Sequence, residues 1–156
     1  MYPQLRQRDD ILKMLDEMIE TRKKILDTCS ELSSDQLNDP VYPGTWSVLK
    51  NLAHLAWAER YMLAFMRTRP AAPARESLAP EPPLDLPALR TALDEAHAEA
   101  IAYLKANPES MLAEKCVYGR SLSDQTVGGV YFHLIEHEIG HRAFILHKLN
   151  KLQAAK

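Results

Sequence analysis

The sequence predicts an all-α protein: a four-helix bundle of the up-and-down type, with a long Pro-rich loop between its second and third helices. Three observations predict it. Four segments carry apolar residues at helical spacing, no segment carries a convincing strand alternation, and the stretches between are rich in proline, glycine and small polar residues. A chain of 156 residues, 46% of them apolar, is expected to form one domain over 1–156.

The first helix, about residues 4–29, puts Ile11, Leu12, Leu15, Met18, Ile19, Ile25 and Leu26 on one face. "SSDQLNDPVYPGT" follows as a turn-rich connection with Pro40, Pro43 and Gly44. The second helix starts near Trp46 and Ser47, runs to about Arg67, and is apolar nearly all round. "PAAPARESLAPEPPLDLP" holds six prolines and reads as an extended loop crossing over one end of the bundle. The third helix, about residues 87–106, has Pro87 in its first turn and aligns Leu89, Leu93, Ala96, Ala100 and Leu104. The fourth, about residues 124–152, takes Ser123 as its N-cap.

Bulk properties narrow the function classes. The net charge is -2, and the one basic concentration, Arg67, Arg69 and Arg75, lies among prolines without interleaved aromatics. Nucleic acid is therefore not an expected partner. The start lacks a signal-peptide pattern and no run of roughly 18 apolar residues occurs, so no membrane partner and a cytoplasmic location are expected. Cys29 and Cys116 fit neither a disulfide framework nor a thiol-rich metal spacing and are expected to stay reduced. Cys29 sits on the apolar face of the first helix as a small core residue, which argues against a nucleophile.

The chemistry concentrates in "HLIEHEIGHRAFILH", residues 133–147, which contains the HExxH string of zinc proteases. With Leu134 as the zero of a helical wheel, Val127, Val130, Tyr131, Ile145 and Leu149 fall within roughly 60° and define the core face. His137 lies about 60° from Leu134, His141 about 20° and Glu138 about 40°; His133, His147 and Glu136 lie about 100°, 140° and 160° away. His137 and His141, four apart, can thus share one ion, with Glu138 inward beside them. A lone inward histidine is usually a hydrogen-bonded core residue, whereas a pair with an inward acid is a candidate site. Gly140 in mid-helix suggests that something packs closely there.

A protease would need a third ligand, and Phe144 stands where the longer protease pattern has a helix-ending glycine. The helix continues, which leaves His147 about 9 Å along the axis from His141 and roughly 120° around it. The third ligand must come from upstream, where His54 and His97 both qualify and helical phase separates neither. A di-iron carboxylate site would need a second Glu-x-x-His, and Asp94 to His97 offers only an Asp variant, with Glu59 as an unsupported extra ligand. The remaining alternative is a metal-free or vestigial bundle acting as a binding module, its histidines satisfied within the core.

"GTWSVLKNLAHLAWAERYML", followed some eighty residues later by "HLIEHEIGHRAFI", resembles the DinB/YfiT-like superfamily of bacterial four-helix-bundle metalloenzymes. The resemblance covers nearly the whole chain. It implies a divalent metal, zinc or nickel, on one histidine of the second helix and two of the fourth, which correspond to His54, His137 and His141. His133 matches a family histidine that is typically not a ligand, and Arg142 matches a common continuation that Ala143 and Phe144 do not. The family's activities imply a small-molecule substrate and a low-molecular-weight thiol, with transfer or isomerisation chemistry and a possible homodimer. The metal would activate that thiol or water, with Glu138 as a candidate for proton transfer or ligand support.

Overall fold

The computed structural model describes residues 5–78, 80–118 and 122–154. In chain order its elements are α1 (Arg8–Cys29), a short α2 (Ser34–Asn38), α3 (Val48–Thr68), α4 (Leu86–Ala106), β1 (Lys115–Tyr118), β2 (Leu122–Thr126) and α5 (Val127–Ala154). Helix dominates, as the apolar spacing requires. Two of the long helices start at a side-chain cap: Ser47 Oγ accepts the Lys50 N–H at 3.1 Å at the head of α3, and the Asp85 carboxylate accepts the Ala88 N–H at 3.0 Å at the head of α4. The short α2 is held by a reciprocal capping box between Ser33 and Gln36 and seats Leu37 in the core.

Two expectations about the last helix are corrected. Residues 115–118 and 122–126 form an antiparallel hairpin, so a strand pair does exist, with Cys116 opposite Gln125 and a register irregularity between Cys116 and Tyr118. Ser123 lies within β2 rather than at a helix end. Thr126 takes the capping role, its hydroxyl accepting the Gly129 N–H at 3.1 Å, and α5 begins at Val127.

The two apolar clusters of the core give the helix directions. One joins Ile11, Leu15 and Met18 of α1 to Met62 and Met66 of α3, Ala100 and Leu104 of α4, and Val127 and Tyr131 of α5. The other joins Ile25 and Leu26 to Val48 and Leu52, Leu89 and Leu93, and Ile145 and Leu149. The early half of α1 and of α5 thus meets the late half of α3 and of α4. Hence α1 and α5 run one way and α3 and α4 the other, which differs from the alternating up-and-down order expected. Because α3 and α4 are parallel, their connection travels back along the helices instead of crossing over one end. At its start Arg69 bonds the Tyr103 hydroxyl and, at 2.8 Å, Glu114; further on Glu81 pairs with Lys50 in the first turn of α3. Proline suits this path, since an extended strap beside a helix needs few backbone donors.

The six residues assigned to the core face of α5, from Val127 to Leu149, are all buried. On α1 the stripe is narrower than expected, and Ile19 stays 40% exposed. Gly140 has open space around it: a Cβ there would meet nothing within 4 Å. The close approach occurs at Gly128 instead, where a Cβ would lie 1.8 Å from the Leu5 carbonyl oxygen. No described helix is long and apolar enough to cross a membrane.

Candidate metal centre

His54 on α3 and His137 and His141 on α5 come together at the edge of the core, each half-buried. One ring nitrogen from each lies within 4.8 Å of the other two, and the Nε2 atoms of His54 and His137 are 3.2 Å apart. Ligand bonds of about 2.0–2.1 Å in a tetrahedral arrangement place donor nitrogens roughly 3.3 Å apart, so this pair fits a zinc-sized ion. Helical phase left His54 and His97 equal; the fold separates them. His97 sits behind the centre, with its Nδ1 2.9 Å from Glu59 Oε1.

The chain also prepares His141 for the task. Its Nδ1 is 2.9 Å from Asn51 Oδ1, and the Asn51 amide nitrogen donates to the Ser47 carbonyl at 2.8 Å, which turns the amide oxygen toward the ring. Nδ1 therefore carries the proton and Nε2 keeps its lone pair for a ligand bond. Asn51 precedes His54 by nearly one turn of α3, so one helix face supplies both a histidine of the group and the residue that orients His141. Around them Trp46 stacks on His141 at a 17° interplanar angle and meets His54 edge-on, while the Trp57 ring packs against His54 at a 31° tilt.

Burial and mutual repulsion keep these imidazoles neutral. His137 is pushed down to about 3, first by desolvation and then by His141, His54 and His133. Desolvation likewise lowers His54 and His141. Neutral rings are what a divalent cation needs.

Glu138 is buried, as its phase implied, but its carboxylate is bound into a buried ionic network. Arg22 of α1 donates to both Glu138 oxygens, Nε to Oε1 and Nη2 to Oε2, each at 3.1 Å. It also donates to Glu59 Oε2 at 3.2 Å and to the Leu93 carbonyl at 3.2 Å. Burial alone would lower the guanidinium pKa, but the carboxylates of Glu138 and Glu59 outweigh it and the value is raised. The guanidinium occupies the space between two carboxylates where a di-iron reading would need metal. Arg22 escaped the sequence reading although a signal existed: it falls in the buried series Ile11, Leu15, Met18, Arg22, Ile25 and Cys29, spaced by fours and threes.

The remaining histidines play other parts. His133 lies 3.5 Å from the Glu136 carboxylate and outside the three-histidine group. His147 pairs with Tyr42, its Nε2 3.1 Å from the phenol oxygen and the two rings stacked. Cys29 and Cys116 are free and buried, and desolvation pushes their thiols up to about 12 and about 11, which suits neither a nucleophile nor a thiolate ligand.

A helical protein whose half-buried, neutral histidines from two helices can hold a metal defines a class, the helical metal-site proteins. Within that class the particular assignment follows from the family comparison: the DinB superfamily model matches residues 17–145, and the chain belongs to that superfamily. No curated protein and no solved structure matches the chain.

Proposed function

We propose that the protein is a divalent-metal-dependent enzyme in which His54, His137 and His141 hold zinc or nickel and a small molecule reacts with a low-molecular-weight thiol. The observation that carries this reading is the convergence of three ring nitrogens, all within 4.8 Å, on imidazoles kept uncharged by burial. A divalent ion bound there would supply Lewis acidity, lowering the pKa of a bound thiol or water.

The chain's own residues supply the rest. Asn51 fixes the tautomer and orientation of His141, while the rings of Trp46 and Trp57 pack against His54. Thiol chemistry is favoured over hydrolysis by the state of Glu138. A hydrolase would use an adjacent carboxylate to move the proton of water, and Glu138 has both oxygens committed to Arg22. Glu138 then supports the α5 turn that bears His137 rather than transferring a proton. A thiol needs less help, since its ordinary pKa of about 8.5 is already close to neutrality. The reading is completed by a cytoplasmic, single-domain four-helix bundle that forms a homodimer, without nucleic-acid or membrane partners. Peptidase action has no place in it, because His147 is engaged with Tyr42.

Zinc titration of the purified protein is the test. One zinc per chain is expected, with a raised melting temperature that grows with zinc concentration. His137→Ala and His141→Ala should each reduce bound zinc to near zero, while His97→Ala should retain it. Equal metal content in all four proteins would overturn the reading, and content near zero in all of them would leave a metal-free binding module.

A further inference from the structure

Beside the metal centre lies a cavity of about 400 Å³ bordered by Tyr42, Trp46, His141, Phe144 and Lys148. Two independent features mark it as a ligand site. The first is aromatic: Tyr42, Trp46 and Phe144 are 38%, 45% and 65% exposed, so three of the molecule's large exposed apolar side chains border one hollow. The second is a buried cation. Lys148 is only 4% exposed, yet its ammonium donates to neutral acceptors, the Pro40 carbonyl and, at 2.7 Å, the Thr45 hydroxyl. The Asp39 carboxylate acts on it from beyond ion-pair distance, and among the described residues no carboxylate forms an ion pair with it. An ammonium has three donors, and a charge removed from water is costly until an anion joins it.

Position adds a length. Lys148 follows His141 by seven residues, so the two share a helix face about 10 Å apart along the axis. Aromatic rings line the interval.

We infer that this cavity binds an amphipathic carboxylate, its anionic head on Lys148 and its apolar body against Trp46 and Phe144, with the far end beside His141. The assignment deepens the proposed function by naming a substrate class, and it rests on that reading only for which end reacts. The head is fixed by charge, the body by aromatic contact, and the reacting end by a chain long enough to cover two helical turns. A shorter acid leaves the His141 end vacant. A neutral analogue of the same length leaves Lys148 without an anion in direct contact.

Octanoate and octanol are suitable probes, titrated into zinc-free and zinc-loaded protein and followed by Trp fluorescence and calorimetry. Octanoate is expected to bind at least about tenfold more tightly than octanol, the scale of one hydrogen bond to a charged group. In Lys148→Met the preference should shrink to near unity while octanol affinity stays. In Phe144→Ala, a change at an exposed position that spares the fold, both probes should weaken together. Equal binding of octanoate and octanol to the wild type, no binding of either, or a preference that survives in Lys148→Met overturns the inference. The wild-type comparison stands even where Lys148→Met fails to fold. Failure of zinc to bind is read separately: it removes the metal reading, while the octanoate preference in zinc-free protein still decides the cavity.

Discussion

Two polar clusters sit side by side on α5, and adjacent residues send one side chain to each: His137 to the three histidines, Glu138 to the network of Arg22, Glu59 and His97. The first is half-buried, built of neutral rings, with donors left over. The second is buried, charged, and has both oxygens of Glu138 occupied by one guanidinium. The difference separates a site from a strut. A metal centre requires lone pairs unused by the protein and a path to solvent; an internal tie requires the reverse. An HExxH string cannot express this distinction, because it places both clusters within two adjacent positions.

Removing the guanidinium should break the comparison most severely. Arg22→Met leaves two buried carboxylates facing each other without a cation, and loss of about 3–5 kcal/mol of stability is expected. Urea unfolding measures it. Adding Glu59→Gln and Glu138→Gln to the same protein should recover most of the loss, since the neutral amides no longer need the charge. A loss below about 1 kcal/mol, the scale of an exposed ion pair, would show that the network is not sealed.

Much of this arrangement was legible from residues alone, and the parts that were not share a cause. Helical period, capping residues and proline placed the four long helices to within a few residues, because those signals are local. The inward phase of His137, His141 and Glu138 was equally local. Which upstream histidine joins them, which way the helices run, and what Glu138 touches all depend on contacts made across the fold. His54 and His97 were equal by phase on their own helices, and only the seating of α3 against α5 separates them. The hairpin of residues 115–126 was missed because strands of four and five residues are too short for alternation to show. Lys148 was missed although a signal existed: it lies about 40° from Leu134 on the α5 wheel, within the core face, and the Pro40 carbonyl and Thr45 hydroxyl take up its ammonium.

The two clusters should also part on acidification, with a smaller effect. In the zinc-free protein His137 titrates near 3 when folded and near 6.5 when unfolded, so the unfolded chain binds the extra proton between these values. Its contribution to stability is fully present above pH 6.5 and is lost as the pH falls toward 3. His54 and His141, also lowered, act in the same direction. Carboxylates titrate in part of this window too, so the informative quantity is the difference between wild type and His137→Gln. From pH 7 to 4 the wild type should lose unfolding free energy relative to His137→Gln as the pH falls. Parallel curves would mean that His137 is not held neutral by the fold.

The smallest effect should come from Gly140, between His137 and His141. Gly140 lies within α5 with no heavy atom within 4 Å of where its Cβ would be, so neither packing nor a left-handed backbone explains a glycine there. Alanine in an exposed helix interior is favoured over glycine by about 1 kcal/mol. Gly140→Ala should therefore stabilise the protein by about that amount in urea unfolding and leave zinc stoichiometry unchanged. Gly128→Ala gives the contrast, because its methyl group would run into the Leu5 carbonyl and should destabilise the start of α5. If Gly140→Ala instead lowers zinc affinity with the fold intact, the open face beside His137 and His141 belongs to the functional surface, and the candidate metal centre extends further along α5 than its three histidines.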